Sequence, residues 1–468
     1  MKIPFIGGQT RGRSVNQSAQ QTVNLFIEVS GSESETKMAL VMVPGKRMFA
    51  EVGSGPIRGM ALFRDHVIVV SANEVYRLDS SGSSTLIGNM GAISHRNVSM
   101  TVGGDYVVIV DSGPAWYTDG ISLTQISDAD YLGSVTSAYI DGYFIFHQPN
   151  SRTFYISEGL DALTFNGLDF AQAESGHDNI VAVAVDHQEA WIFCKYRTEV
   201  WFNSGASDFP LARREGAILE AGCAAPLSIA QCDNSLFWLG QTADGGGVVY
   251  RANQYNPQII SNRGIESELA GYDLSTATAF AYQQEGHTFY CLSFDDRTFV
   301  YDASITDPDM AWHVRSTYNR GRDRANCHAY AFGLNLVGDN GGNQVAVLDM
   351  ETYDDIDEPI VWERTGQHII SDGSRMMFRE FLVNIEKGVG LVSGQGSDPV
   401  MYLDWSDDGG HTWSMRRELS MGAMAKRLIQ VSATRLGSSR DRVFRLSGSE
   451  PVRTVILGAY IDAAEAAH

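Results

Sequence analysis

Ile57-Arg-Gly-Met-Ala-Leu-Phe-Arg-Asp-His66, Val67-Ile-Val-Val70, Glu74-Val-Tyr-Arg-Leu78 and Ser84-Thr-Leu-Ile-Gly88 follow one another with only short polar breaks between them. Each run is rich in β-branched and aromatic residues, and each is too short for a helix, so each predicts a strand. The breaks hold Asp, Asn, Ser and Gly, residues that close tight turns. Four such strands in succession predict an antiparallel meander. Residues 97–128 repeat the pattern through Val98 to Gly104, Tyr106 to Val110, Ala115-Trp-Tyr-Thr118 and Leu123 to Ile126. Residues 135–170 repeat it again through Val135 to Ile140, Tyr143 to Phe146, Thr153-Phe-Tyr-Ile156 and Phe165 to Phe170. Similar cycles open near 180, 228, 276 and 327. Four strands recurring every ~40–50 residues are what propeller blades produce. The expected fold is therefore all-β, with a β-propeller-like body of six or seven blades; a pair of β-sandwiches is the alternative.

The flanks differ from this body. Residues 1–56 are polar, with Gln9-Thr-Arg-Gly-Arg-Ser14 and Ser30-Gly-Ser-Glu-Ser-Glu35, and read as an extended N-terminal arm. The propeller-like body is assigned to 57–374. A smaller C-terminal β-domain is assigned to 375–468, built on Phe378 to Ile385, Val400 to Trp405, Leu428 to Thr434, Arg442 to Leu446 and Val452 to Tyr460. The Ala-rich end, Ala463 to His468, is expected to fray. One internal helix is expected over Asn262 to Tyr272, where Ile265 and Leu269 share a face.

Composition agrees with a large folded body. Apolar residues are 44% of the 468 and aromatics 10%, which excludes a disordered or collagen-like chain. Gly is abundant at 47 against 12 Pro, which suits many tight hairpins. The 56 acids exceed the 35 bases, for a net charge of −21. Gripping nucleic acid through the general surface is thereby disfavoured, since phosphate binding needs concentrated Lys and Arg; an acidic wall along which DNA slides is not. No run approaches the ~18–20 apolar residues of a spanning helix, so no membrane span is expected. The opening residues lack a secretory leader pattern, and the five cysteines (Cys194, Cys223, Cys232, Cys291, Cys327) have no CxxC spacing. They are expected to be buried free thiols of a chain made in a reducing cytoplasm.

The sharpest local motif is Ser406-Asp-Asp-Gly-Gly-His-Thr-Trp413, in which Ser406, Asp408, Gly410, Thr412 and Trp413 fit the Asp-box pattern S-x-D-x-G-x-T-W. It is expected to be a structural hairpin: Ser and Asp hydrogen-bond the turn backbone, Gly permits positive φ and Trp covers the turn. Sialidases carry such boxes, which keeps a glycan-binding or glycan-hydrolysing tail protein as the alternative function. The acidic clusters Asp354-Asp355-Ile-Asp357-Glu358 and Asp128-Ala-Asp130 lack the spacing of a calcium loop and are expected to be solvated turns. The histidines, including His95, His147, His177, His187, His287, His313, His328, His368 and His411, are dispersed without HExxH, and no metal site is expected. No GxSxG elbow or phosphate loop occurs, and no cofactor or catalytic residue is assigned. Basic residues gather at Arg11/Arg13, at Arg315, Arg320, Arg322 and Arg324, and at Arg416/Arg417 with Lys426/Arg427. In so acidic a chain these are expected in solvated loops or on contacts with acidic partner or subunit surfaces.

An ordered set of short motifs carries a family resemblance. Asn24-Leu-Phe-Ile-Glu28, Leu40-Val-Met-Val-Pro-Gly45 with Ile57-Arg-Gly-Met60, Ile140-Asp-Gly-Tyr-Phe144, Asp169-Phe-Ala-Gln-Ala-Glu174, Thr198-Glu-Val-Trp-Phe-Asn203 and Gly286-His-Thr-Phe-Tyr290 come first. The Asp-box, Arg435-Leu-Gly-Ser-Ser-Arg-Asp-Arg-Val-Phe-Arg445 and Glu450-Pro451 follow. Together they resemble the packaged-DNA stabilisation, or tail accessory factor, family of short-tailed phages. The resemblance implies a structural virion protein of the tail nozzle or plug and not an enzyme. It implies a ring of copies, a hexamer, lying below the head-to-tail adaptor ring under the portal and in contact with a tail fibre, spike or needle protein. Such a ring closes the portal channel, retains packaged DNA and lets it pass through the lumen at ejection without sequence-specific binding.

Overall fold

The structure, a computed structural model, describes every residue except 32–36, 92, 93, 95, 160, 163, 372 and 466–468. Six four-stranded antiparallel meanders follow one another along the chain. Blade one comprises Ile57–Phe63, His66–Ser71, Glu74–Leu78 and Ser84–Asn89. Blades two to six open at Ser99–Gly103, Ser137–Ile140, Ile180–Asp186, Ala230–Cys232 and Thr278–Gln284, close to the cycle starts expected from the sequence. A composite sheet closes the ring: Ala325–Ala331, Leu334–Asp339 and Gln344–Asp349 pair onward to Gly45–Glu51, from near the start of the chain. Its opening strand packs beside Ile57–Phe63 of blade one, which completes the circle.

The second strand of each blade explains why the sequence runs are continuously apolar and not alternating. Val67, Ile68, Val69 and Val70 are all fully buried, as are Val107 to Val110, because neighbouring blades cover both faces. The core is divided accordingly. One apolar cluster joins blades one and two through Phe63, Val98 and Trp116, another joins blades two and three through Val110, Phe146 and Phe165, and another joins blades three and four through Ile145, Phe154 and Trp201. The helix Arg263–Leu269 lies inside the expected stretch, capped by the Asn262 side chain accepting from Ile265 N, with Ile265 and Leu269 buried. Four cysteines are buried, Cys327 is half-buried, and all five are free thiols.

The first 56 residues are not an extended arm, and this corrects the expectation from their polarity. They supply five strands, and Phe5, Leu25, Phe26 and Leu40 are buried. Gln21–Val23 runs between Trp312–Arg315, the last strand of blade six, and Trp362–Thr365. Leu25–Val29 and Met38–Met42 join Val455–Glu465, Met376–Ile385 and Val431–Thr434 in one sheet of the C-terminal unit. The stretch Ser30 to Glu35 lies mostly outside the described residues. Polarity misled because the side chains of this segment bond across to other elements: Gln9 and Asn24, both buried, accept from Thr22 N and Ser316 N respectively.

The C-terminal unit is a sandwich of two sheets. Its second sheet holds Trp362–Thr365, Asp441–Gly448, Val400–Ser406 and Arg417–Ser420, and Ile369–Ile370 also pairs with Asp441–Gly448. The pairing of these two strands moves the end of the propeller body back from 374 to before Trp362. Through Gln21–Val23 this sheet is continuous with blade six, so one ten-stranded sheet runs from propeller to sandwich. A single apolar core spans both, with Phe26 against Phe289 (centroids 5.5 Å apart) and Phe5 against Phe381 (6.0 Å). The final strand extends to Glu465, and residues 466–468 of the Ala-rich end lie outside the described residues.

Candidate functional site

Five places concentrate polar chemistry: the Asp-box turn, a buried ionic seam, a buried arginine seam, a histidine clamp and the propeller axis. The Asp-box residues lie in and just after Val400–Ser406. Ser406 Oγ donates to Asp408 Oδ1 (2.7 Å) and accepts from Gly410 N (2.7 Å). Asp408 also accepts from His411 N (3.0 Å), Thr412 N (2.8 Å) and Thr412 Oγ1 (2.6 Å). These donors, Thr412 first, hold its carboxyl far below the usual range. Trp413 lies under the Arg445 guanidinium, 3.9 Å from the ring centroid. Arg445 is itself bidentate to Asp404 (2.8 Å to each oxygen). The neighbouring Asp407 is bidentate to the buried Arg442, which stacks over Phe378 and Trp405. The Asp408 oxygens are thus occupied by the turn itself, the arrangement of a structural hairpin.

The first ionic seam corrects two expectations. Asp355, expected in a solvated turn, is 2% exposed, and Arg315 and Arg324, expected in solvated loops or on partner contacts, are also buried. Lys46, on the strand that closes the propeller, reaches Asp323 (2.8 Å) and Asp355 (3.4 Å). Arg324 bonds Asp339 (2.9 Å) and the carbonyl of Asp355 (2.9 Å), while Thr317 Oγ1 donates to Asp355 (2.6 Å). Burial would lower the Lys46 amine, but Asp323 and Asp355 hold it above the ordinary value; burial would raise the Asp323 carboxyl, but Lys46 holds it below. Arg320 reaches Asp339 from the rim (2.9 Å). The charges therefore seal the joint between the first and last parts of the body. Breaking one such buried pair strands its partner as an uncompensated charge, at a cost of about 3–5 kcal/mol.

The second seam is Arg364, fully buried in the sandwich beside blade six, with no carboxylate partner among the described residues. Its guanidinium donates to Phe5 O (2.7 Å), Gly8 O (3.1 Å), Thr22 Oγ1 (2.8 Å) and Gln20 Oε1 (2.7 Å), all in the N-terminal segment. Burial pulls it down to about 9. In blade one, Arg58 is similarly buried on Asp111 (2.6 Å), the Ala72 carbonyl (2.8 Å) and Ser94 (3.0 Å). His287 of blade six holds Asp302 with Nδ1 (2.6 Å) and Glu28 of the N-terminal segment with Nε2 (3.0 Å). Burial would lower this imidazole, but Asp302 and then Glu28 raise it above its ordinary value. Ser304 Oγ approaches the same Nδ1 that Asp302 occupies (3.1 Å), so the three groups do not form a relay from hydroxyl to carboxylate. The sequence shows several of these residues but not their pairing, because some partners lie hundreds of positions away: Lys46 and Asp355 are 309 apart.

The propeller axis is a cavity of ≈ 530 Å³ reached by the first strand of every blade, through residues such as Met60, Thr101, Tyr139, Val185, Phe280 and His328. His328 is pushed down to about 4 by burial and carries no charge at neutral pH. His147 is likewise buried and pushed down to about 4 by that burial. Among the described residues no group of three or more His, Cys, Asp or Glu is arranged to hold a metal ion. His95 lies outside the described residues. No described helix is long and apolar enough to cross a membrane.

Comparison with known proteins follows the division seen in the structure. Residues 1–353 match the family model of the bacteriophage P22 Gp10 β-propeller, and residues 361–464 that of the bacteriophage P22 Gp10 β-sandwich. No curated protein matches the chain. Among solved structures, the Pan2 WD40 domain of Neurospora crassa is similar at 8% identity over 65% of this chain and 95% of that one, with a TM-score of 0.43. Streptogramin B lyase aligns at 10% identity over 64% and 96%, with a TM-score of 0.40. At these scores neither likeness speaks to activity. Both domain models come from one family and lie in chain order over nearly the full length, so the chain belongs to the bacteriophage P22 Gp10 family, the packaged-DNA stabilisation proteins of the virion tail.

Proposed function

We propose that the protein is the nozzle or plug of a phage tail: a ring of copies, six by the resemblance, below the head-to-tail adaptor ring. It closes the portal channel after packaging, retains the genome and opens a path for it at ejection. A fibre, spike or needle protein is its partner on the far side. The observation that carries the ring is the size of the axial cavity. At ≈ 530 Å³ it holds far less than one turn of duplex, which is about 34 Å long with a major groove about 12 Å wide. DNA therefore has to pass between copies, and a lumen between copies requires a closed ring.

Two further features fit this role. The ten-stranded sheet and the buried seams make propeller and sandwich one stiff body, as resistance to the pressure of packaged DNA demands. The net charge of −21 suits a wall that DNA slides along and does not stick to, since stable phosphate contacts need Lys and Arg. The test is electron microscopy of tailed particles at subunit resolution. A ring of this chain between adaptor and fibre, with a lumen wide enough for duplex, is the expected result. The chain found elsewhere in the virion, or as single copies, would contradict it.

A further inference from the structure

Two loops of the sandwich, 387–397 and 421–429, interlock at its tip. Gly388 N donates to Met421 O (3.4 Å) and Ala425 N to Gly388 O (3.2 Å). The backbones come so close that a Cβ at Gly390 would lie 2.9 Å from Met424 N. Backbone fills the space between the loops, and large apolar side chains are turned outward. Val392 is 84% exposed and Leu428 102%, with Leu391 and Met424 also exposed. The second loop carries Lys426 and Arg427 and no Asp or Glu, in a chain with 21 more acids than bases; the first carries Lys387, with Glu386 and Asp398 at its two ends. Exposed apolar groups such as Met424 and Leu428 beside the basic pair Lys426 and Arg427 mark a docking surface for a partner of the opposite sign.

The complement is present on the same molecule. Phe165–Gln172, the outer strand of blade three, pairs with Thr153–Ser157 and has no second neighbour among the described residues. Leu168 is 80% exposed on it and Phe170 46%. Asp128 accepts from Phe165 N (3.3 Å), the Asp130 carboxylate lies against Gly167, and Asp169 and Glu174 complete the border. From Phe165 to Glu174 there is no Lys or Arg. The sandwich hangs from blade six, and blade three stands across the ring from it. Complementary patches on opposite sides of one body generate head-to-tail contacts, which close into a ring when the rotation allows.

We propose that the basic, apolar tip of one copy docks on the acid-bordered outer strand of blade three of the next copy, and that this pairing is the repeating contact of the ring. The inference rests on the ring-forming function above and assigns its surfaces. Lys426, Arg427 and Glu174 are exposed and Asp169 is half-buried; Glu174 also lies 3.6 Å from Arg213, so the stability of each charge-swapped variant has to match the wild type. The test uses two full-length variants, K426E/R427E on the tip and D169K/E174K on the strand, with equal melting temperatures as the check on folding. Sedimentation against concentration should show self-association weakened at least tenfold in each variant alone. An equimolar mixture of the two leaves one swapped tip facing one swapped strand and should restore mixed oligomers. L428E should weaken association at low and high salt alike, whereas the charge swaps act most strongly at low salt. Variants that associate like the wild type would overturn this contact and leave the ring standing. A wild-type chain that stays single at every concentration, even with tail extracts, would overturn both.

Discussion

At the residue scale, the most consequential side chains are charged groups far from water. Arg364 spends its donors on four acceptors of the N-terminal segment, so its loss leaves those acceptors buried and unbonded. Arg364→Ala should lower the unfolding free energy by roughly 3 kcal/mol or more, read as an earlier midpoint in urea. His147 behaves differently. Its folded value of about 4 lies below the 6.5 of an exposed imidazole, so the unfolded chain binds its proton first and stability falls as pH drops below 6.5. His147→Leu should therefore gain on the wild type as pH falls from 7.5 to 5, by on the order of 2 kcal/mol at the acid end; a gap in melting temperature that does not change with pH would contradict this. His287 has the opposite sign. Its raised value places its contribution below the unfolded pKa, and that contribution is lost as pH rises through the folded one. His287→Gln should cost most stability in mild acid.

At the scale of elements, the strands of the propeller could be recognised from the chain, whereas the seams could not. The runs Val67 to Val70 and Val107 to Val110 announce themselves because burial on both faces demands continuous apolar sequence. Gly45–Glu51 gives no such signal: it holds Lys46 and Arg47, and it enters a sheet only because a strand from near the end of the body needs a partner. Gly45 itself is fixed by close approach, since a Cβ there would strike the Thr352 carbonyl. The Asp-box was legible for a related reason, as every bond it makes lies within seven residues. The arginines of 315–324 were read as surface groups because their carboxylate partners cannot be paired by spacing. Removing residues 1–56 should accordingly give an insoluble or unfolded chain, not a folded body lacking an appendage; circular dichroism and limited proteolysis would decide. Asp408→Ala should speed amide exchange across 406–413 while leaving exchange in the blades unchanged.

At the scale of the whole molecule, the chain is one mechanical part. Propeller and sandwich share a sheet and a core, so heating should give one cooperative transition with no separate melting of the C-terminal unit, as checked by calorimetry. An acidic body around a DNA path predicts a negative potential on the inner wall of the assembled ring, read from its electrostatic map; a basic wall would remove the sliding argument. The central claim is genome retention, and the most direct measurement counts packaged DNA in particles assembled with and without this chain. Heads that fill and then lose their DNA in its absence are the predicted result. Stable, full and infectious particles without it would contradict the account.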